Sequence, residues 1–153
     1  MKRWMVILGL FAVSLGLSPS TGTDAAKLQP VQAVYLYMEE GKLTILTDTG
    51  DQGAGADLEK ALSDLKITTP GKIFLETAEY LLVTEETKIY IEELYEELRP
   101  ACGLCLVEGQ PEMESAVKYL SAHRPESSLK DYREGQKRLP KIRVDEGRMY
   151  LEQ

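Results

Sequence analysis

The residues of this chain best suited to chemistry are Cys102 and Cys105, its only two cysteines, spaced C-x-x-C within RPACGLCLVEG (99–109). Two thiols at that spacing can close a short disulfide, exchange electrons as a dithiol, or supply two ligands to a zinc ion. Redox use needs the first thiol at the start of a helix, where free N–H groups and the helix dipole lower its pKa. Here an acidic helical pattern precedes the pair and a strand-like run follows it, so the nearby helix end would raise a thiol pKa instead. Zinc needs three or four ligands, and His123 is the single histidine of the chain. Packed structural thiols are therefore the first reading. A local disulfide between Cys102 and Cys105 is the second, favoured by an oxidising compartment, and redox catalysis or metal binding the third.

The remaining candidates point to structure. His123 stands just before Arg124 and Pro125 at a helix end, where an imidazole interacts favourably with the dipole, and no nucleophile signal accompanies it. The glycines of TGDQGAGAD (49–57) sit among acidic residues and lack the lysine of a phosphate-binding loop, so a flexible loop leading into a helix is expected. Carboxylate pairs are too abundant to single one out. No catalytic, cofactor-binding or metal-binding residue is assigned, and no cofactor is expected.

The chain begins with Lys2 and Arg3, the apolar run WMVILGLFAVSLGL (4–17), and the small-residue run SPSTGTDAA. That order is that of a secretory signal peptide, expected over residues 1–20, with cleavage after Ser20, Ala25 or Ala26; an uncleaved anchor is the alternative. The run is too short to span a bilayer. An exported, extracytoplasmic protein follows, and no cysteine near the boundary offers a thiol for lipid attachment. The net charge of -7 argues against nucleic acid as a partner. It is unevenly spread: residues 39–123 hold 18 acidic against 7 basic side chains, and residues 124–148 hold 8 basic against 5 acidic. The basic stretch reads first as a solvated linker and second as a peripheral contact for anionic lipid or an acidic partner.

These residues need elements to position them. VQAVYLYM (31–38) and KLTILTD (42–48) read as a hairpin across Glu39, Glu40 and Gly41. Asp57 is a fair N-cap for a helix whose Leu58, Ala61, Leu62 and Leu65 share one face. KIFLETAEYLLV (72–83) reads as one strand or two strand pieces. TEETKIYIEELYEEL (84–98) predicts a helix capped by Thr84, with Ile91, Leu94, Tyr95 and Leu98 buried and its acidic outer face in solvent. LCLVEG (104–109) is a further strand, and PEMESAVKYLSAH (111–123) a further amphipathic helix. The fold class expected is α/β (α+β): a mixed β-sheet with helices packed on it, in the order β-β-α-β-α-β-α over residues 27–123. A charged linker is expected over 124–140. Residues 141–153 predict a hairpin that either docks on this unit or starts a second, truncated domain.

Taken in order, these segments resemble the C subunit of bacterial spore germinant receptors, the Ger(x)C type. The likeness lies in a signal sequence, a hairpin, a Gly-containing loop with GADLEKALSDL, then GKIFLETAEYLLVTEE, LRPACGLCLVEGQPEMESAV and LPKIRVDEGRMYLEQ. The chain lacks the lipid-modified cysteine typical of those subunits and the histidine usual in the strand before the second helix. The resemblance implies a non-enzymatic module acting by protein contact in spore germination, at the outer face of the spore inner membrane beside membrane-embedded receptor subunits. Two other functions remain open: a thiol-disulfide oxidoreductase or redox sensor using Cys102 and Cys105, and an exported scaffold or inhibitor unrelated to germination.

Overall fold

Period-two alternation divides the first long strand between two apolar layers: Val34 and Leu36 enter one, and Ala33, Tyr35 and Tyr37 the other. The structure, a computed structural model, describes residues 28–153. The expected signal peptide, 1–20, lies outside the described residues. The elements are β1 (Leu28–Pro30), β2 (Ala33–Glu39), β3 (Lys42–Thr47), β4 (Gln52–Gly55), α1 (Leu58–Thr68), β5 (Lys72–Phe74), β6 (Tyr80–Val83), α2 (Ile91–Leu94), β7 (Gly103–Glu108), α3 (Met113–Ala122), α4 (Leu129–Arg133), β8 (Lys141–Asp145) and β9 (Arg148–Glu152).

Seven strands form one mixed sheet in the order β4-β3-β2-β6-β7-β8-β9. β2, β6, β7 and β8 run parallel, and antiparallel hairpin partners extend the sheet at each end. β1 and β5 pair separately. The α/β (α+β) class expected from the sequence is the one found, with more strands than the order β-β-α-β-α-β-α allowed. Both long hairpins turn on Glu-Gly, Glu40-Gly41 and Glu146-Gly147, each with positive φ at both positions. That is the turn whose twist suits a two-residue hairpin.

The sheet is covered on two sides. Leu58, Leu62 and Leu65 of α1, Ile91 and Leu94 of α2 and Leu129 of α4 pack with Leu36, Leu81 and Leu104. Met113, Ala116 and Leu120 of α3 pack with Tyr35, Leu82, Val107 and Ile142 on the other side. Asp57 caps α1 as expected, its side chain accepting the Lys60 N–H at 2.9 Å.

Three expectations are corrected. The segment read as a flexible glycine loop contains strand β4, because its glycines let α1 lie directly on it. The continuous helix expected over 84–98 is instead a 3-10 turn at Lys88–Tyr90 followed by the single-turn α2. Thr84 does not start it. The Thr87 hydroxyl is fully buried, donates to the Leu36 carbonyl at 2.9 Å and accepts the Thr84 N–H at 2.9 Å, which ties a tight turn to the end of β2. Ile91, Leu94 and Leu98 are nevertheless buried as the apolar stripe required. Thr87→Val preserves shape but leaves that carbonyl without its partner. It is expected to lower stability by about 1–3 kcal/mol, read from a urea unfolding midpoint.

The third correction concerns the charged linker at 124–140. It carries α4, whose N-cap Ser128 and Asp131 form a reciprocal capping box, and buries Leu129 at 1% exposure. Leu129 N–H donates to the Cys102 carbonyl at 2.9 Å, and Lys130 N–H to that of Pro100 at 3.0 Å. The hairpin at 141–153 docks on this unit, one of the two outcomes expected for it: β8 pairs with β7 and β9 forms the edge of the same sheet.

Candidate functional site

Cys102 immediately precedes β7 and Cys105 lies within it, three residues apart along extended chain, so their side chains leave on opposite sides. Cys102 packs with the layer of α1, α2 and α4, and Cys105 with the layer of α3. Both are 0% exposed and both are free thiols, so the disulfide considered for Cys102 and Cys105 is not formed. Burial pushes each thiol from the usual 9.0 up to about 12. For Cys102 the Arg99 guanidinium pulls partly against that rise and Glu79 adds to it; for Cys105 the neighbouring Cys102 adds to it. A thiol in this state is neither nucleophile nor ready metal ligand.

His123 ends α3. Its ring stacks on Tyr119 with centroids 4.4 Å apart, and its Nδ1 lies 3.1 Å from the Tyr119 carbonyl oxygen. Among the described residues no three His, Cys, Asp or Glu side chains converge as metal ligands. No helix among them is long and apolar enough to cross a membrane.

The basic stretch 124–148 meets the acidic part of the same chain. Lys137 pairs with Glu92 at 2.8 Å, Lys141 and Arg143 with Glu108 at 2.7 and 3.5 Å, and Arg124 with Glu79 at 3.8 Å. Arg133 stacks over Tyr95 at 4.2 Å. Lys141 and Arg143 hold the Glu108 carboxyl below its usual range, the Lys141 hydrogen bond being the largest cause. Four of the eight basic residues of this stretch are thus paired with carboxylates of the earlier, acidic part.

One of several open crevices among the described residues lies at the carboxyl ends of β2, β6 and β7. The chain leaving β6 turns toward the α2 layer, and the chain leaving β7 turns toward α3, so the two loops part. Ligands of open α/β sheets sit where adjacent strands diverge in this way. The crevice, of about 470 Å³, is lined by Tyr35, Tyr37, Met38, Glu39, Thr84, Glu85, Glu86 and Gln110. Tyr35 and Tyr37 stack at 5.0 Å, and the Tyr35 hydroxyl donates to the Gly109 carbonyl at 3.3 Å. Burial, with Tyr37 beside it, pushes the Tyr35 phenol up to about 12. The crevice offers phenol hydroxyls and the side chains of Glu39, Glu85 and Glu86, of which Glu85 is already paired with Lys88.

The sequence reading missed this place. The alternation Tyr35-x-Tyr37-x-Glu39 put those three residues on one face, but Glu85, Glu86 and Gln110 arrive from loops that only the strand order brings together. No protein-family model, curated protein or solved structure matches this chain.

Proposed function

We propose that this chain is a non-catalytic, extracytoplasmic protein-interaction module that acts in spore germination beside membrane-embedded receptor subunits. The observation that carries the non-catalytic part is the burial of Cys102 and Cys105 in separate apolar layers with their thiols held at about 12. The rival oxidoreductase or redox-sensor role needs an exposed, low-pKa thiol, which is the opposite condition. The germination role rests on the resemblance of segment order, and the crevice at Tyr37, Glu39, Glu85 and Glu86 supplies a contact surface for a basic partner segment.

The test is genetic complementation. Spores lacking this protein are expected to germinate poorly and to recover with a Cys102→Ala/Cys105→Ala chain as fully as with the wild type. A Glu85→Lys/Glu86→Lys chain, exported at equal level, is expected to recover them only in part. Failure of the double alanine chain despite normal folding would support the redox rival, and normal germination without the protein would remove the germination role.

A further inference from the structure

The two edges of the seven-stranded sheet are treated differently. At β4, α1 reaches over the edge: Asp64 accepts the Ala54 N–H at 2.9 Å, and the Thr68 hydroxyl donates to the Gln52 carbonyl at 2.9 Å. At β9 the two-residue turn fixes the register with β8, pairing Asp145 with Arg148 and Arg143 with Tyr150. Such a hairpin directs the backbone groups of Arg148, Tyr150 and Glu152 toward β8 and those of Met149 and Leu151 outward. The Leu151 N–H is met by the Tyr119 hydroxyl at 2.9 Å. Among the described residues nothing bonds the outward groups of Met149.

The side chains of this edge are self-complementary. Arg148, Tyr150 and Glu152 lie on one face with Tyr150 at their centre, 49% exposed, and Met149 and Leu151 lie on the other against the α3 layer. An antiparallel copy of the strand centred on Tyr150 sets Arg148 opposite the partner's Glu152 at both ends. It also sets Met149 opposite the partner's Leu151. Those two residues carry the outward groups, so the pairing closes four backbone hydrogen bonds and continues the apolar layer across the axis.

We infer that β9 is a dimerisation edge whose occupant is a second copy of this chain, paired antiparallel about a two-fold axis through Tyr150. Closed two-fold pairing of identical edges satisfies both strands at once. The Tyr119 hydroxyl holds the Leu151 N–H in the single chain and yields it to the partner's Met149 carbonyl. The contact is small, so the dimer is reversible and dissociates on dilution.

The experiment is sedimentation equilibrium of the purified chain with charge-swapped variants, each first shown by circular dichroism and thermal melting to fold like the wild type. Arg148→Glu and Glu152→Arg each set like charges opposite one another at both ends and are expected to weaken the dimer by about tenfold or more. Mixing the two variants restores opposite charges in the heterodimer, and wild-type association is expected to return. The double variant Arg148→Glu/Glu152→Arg is expected to dimerise as the wild type does. A monomeric wild type at every concentration, single variants that associate unchanged, or a mixture that stays monomeric would each overturn the inference.

Discussion

Gly53→Ala is expected to lower the unfolding free energy by about 3 kcal/mol, the upper part of the range for overpacking a core. A Cβ on Gly53 would lie 2.3 Å from the Leu65 backbone nitrogen and 2.5 Å from the Ala61 carbonyl oxygen. Both are backbone atoms of α1, so no side-chain rotation relieves the clash; the helix itself must lift from β4. That movement also draws Asp64 away from the Ala54 N–H and Thr68 away from the Gln52 carbonyl, reopening the edge. Gly55 is held in the same way, its added Cβ falling 2.5 Å from the Ala61 nitrogen. Urea unfolding checks this, with the midpoint of Gly53→Ala falling sharply and that of the exposed Gln52→Ala, on the same strand, shifting little. Equal midpoints for Gly53→Ala and wild type would mean that α1 does not rest on β4 as described.

The second large effect is a loss of stability in alkali. Each thiol titrates near 9.0 when ordinarily solvated and at about 12 in the fold, so the folded state binds more protons between those values. The stabilisation is therefore complete below pH 9 and falls as pH rises toward 12, where the unfolded chain gains by ionising its thiols. A tenfold difference in proton affinity between folded and unfolded chain is worth about 1.4 kcal/mol, so the pair together removes on the order of several kcal/mol across that window. Tyr35, moved from 10.0 to about 12 by burial, adds in the same direction over the upper part of it. Unfolding free energies measured between pH 8 and pH 11 are expected to fall steeply for the wild type. For Cys102→Ala/Cys105→Ala the fall is shallower, although that variant starts lower because it leaves small cavities. Parallel profiles for the two proteins would show that the thiols are not desolvated.

What the sequence revealed, it revealed through periodicity. The β2–β3 hairpin, α1 with its Asp57 cap, α3, and the β8–β9 hairpin each carry their signal within a few neighbouring residues. Failures came where the deciding partner is far along the chain. Thr84 with its acidic followers looks like a helix start, but Thr87 answers to the carbonyl of Leu36, 51 residues earlier, and the helix shortens to one turn. Gln52–Gly55 has poor strand propensity, and its pairing with β3 is secured by a helix that only glycine admits. The segment 124–140 buries Leu129 and packs Leu139 partly, too few apolar positions to show a period, and it is held largely by capping and ion pairs. The cysteine pair was legible in part: the strand after it excluded a thioredoxin-like arrangement, while the separation of its thiols into two layers needed the sheet itself.

If Cys102 and Cys105 serve packing and not chemistry, the rate at which a thiol-specific reagent labels the native chain at neutral pH will show it. Two free thiols are expected that react only as fast as the protein unfolds, with labelling accelerated in step with added urea. Rapid labelling of either cysteine in the native state, at a rate set by reagent concentration alone, would contradict it.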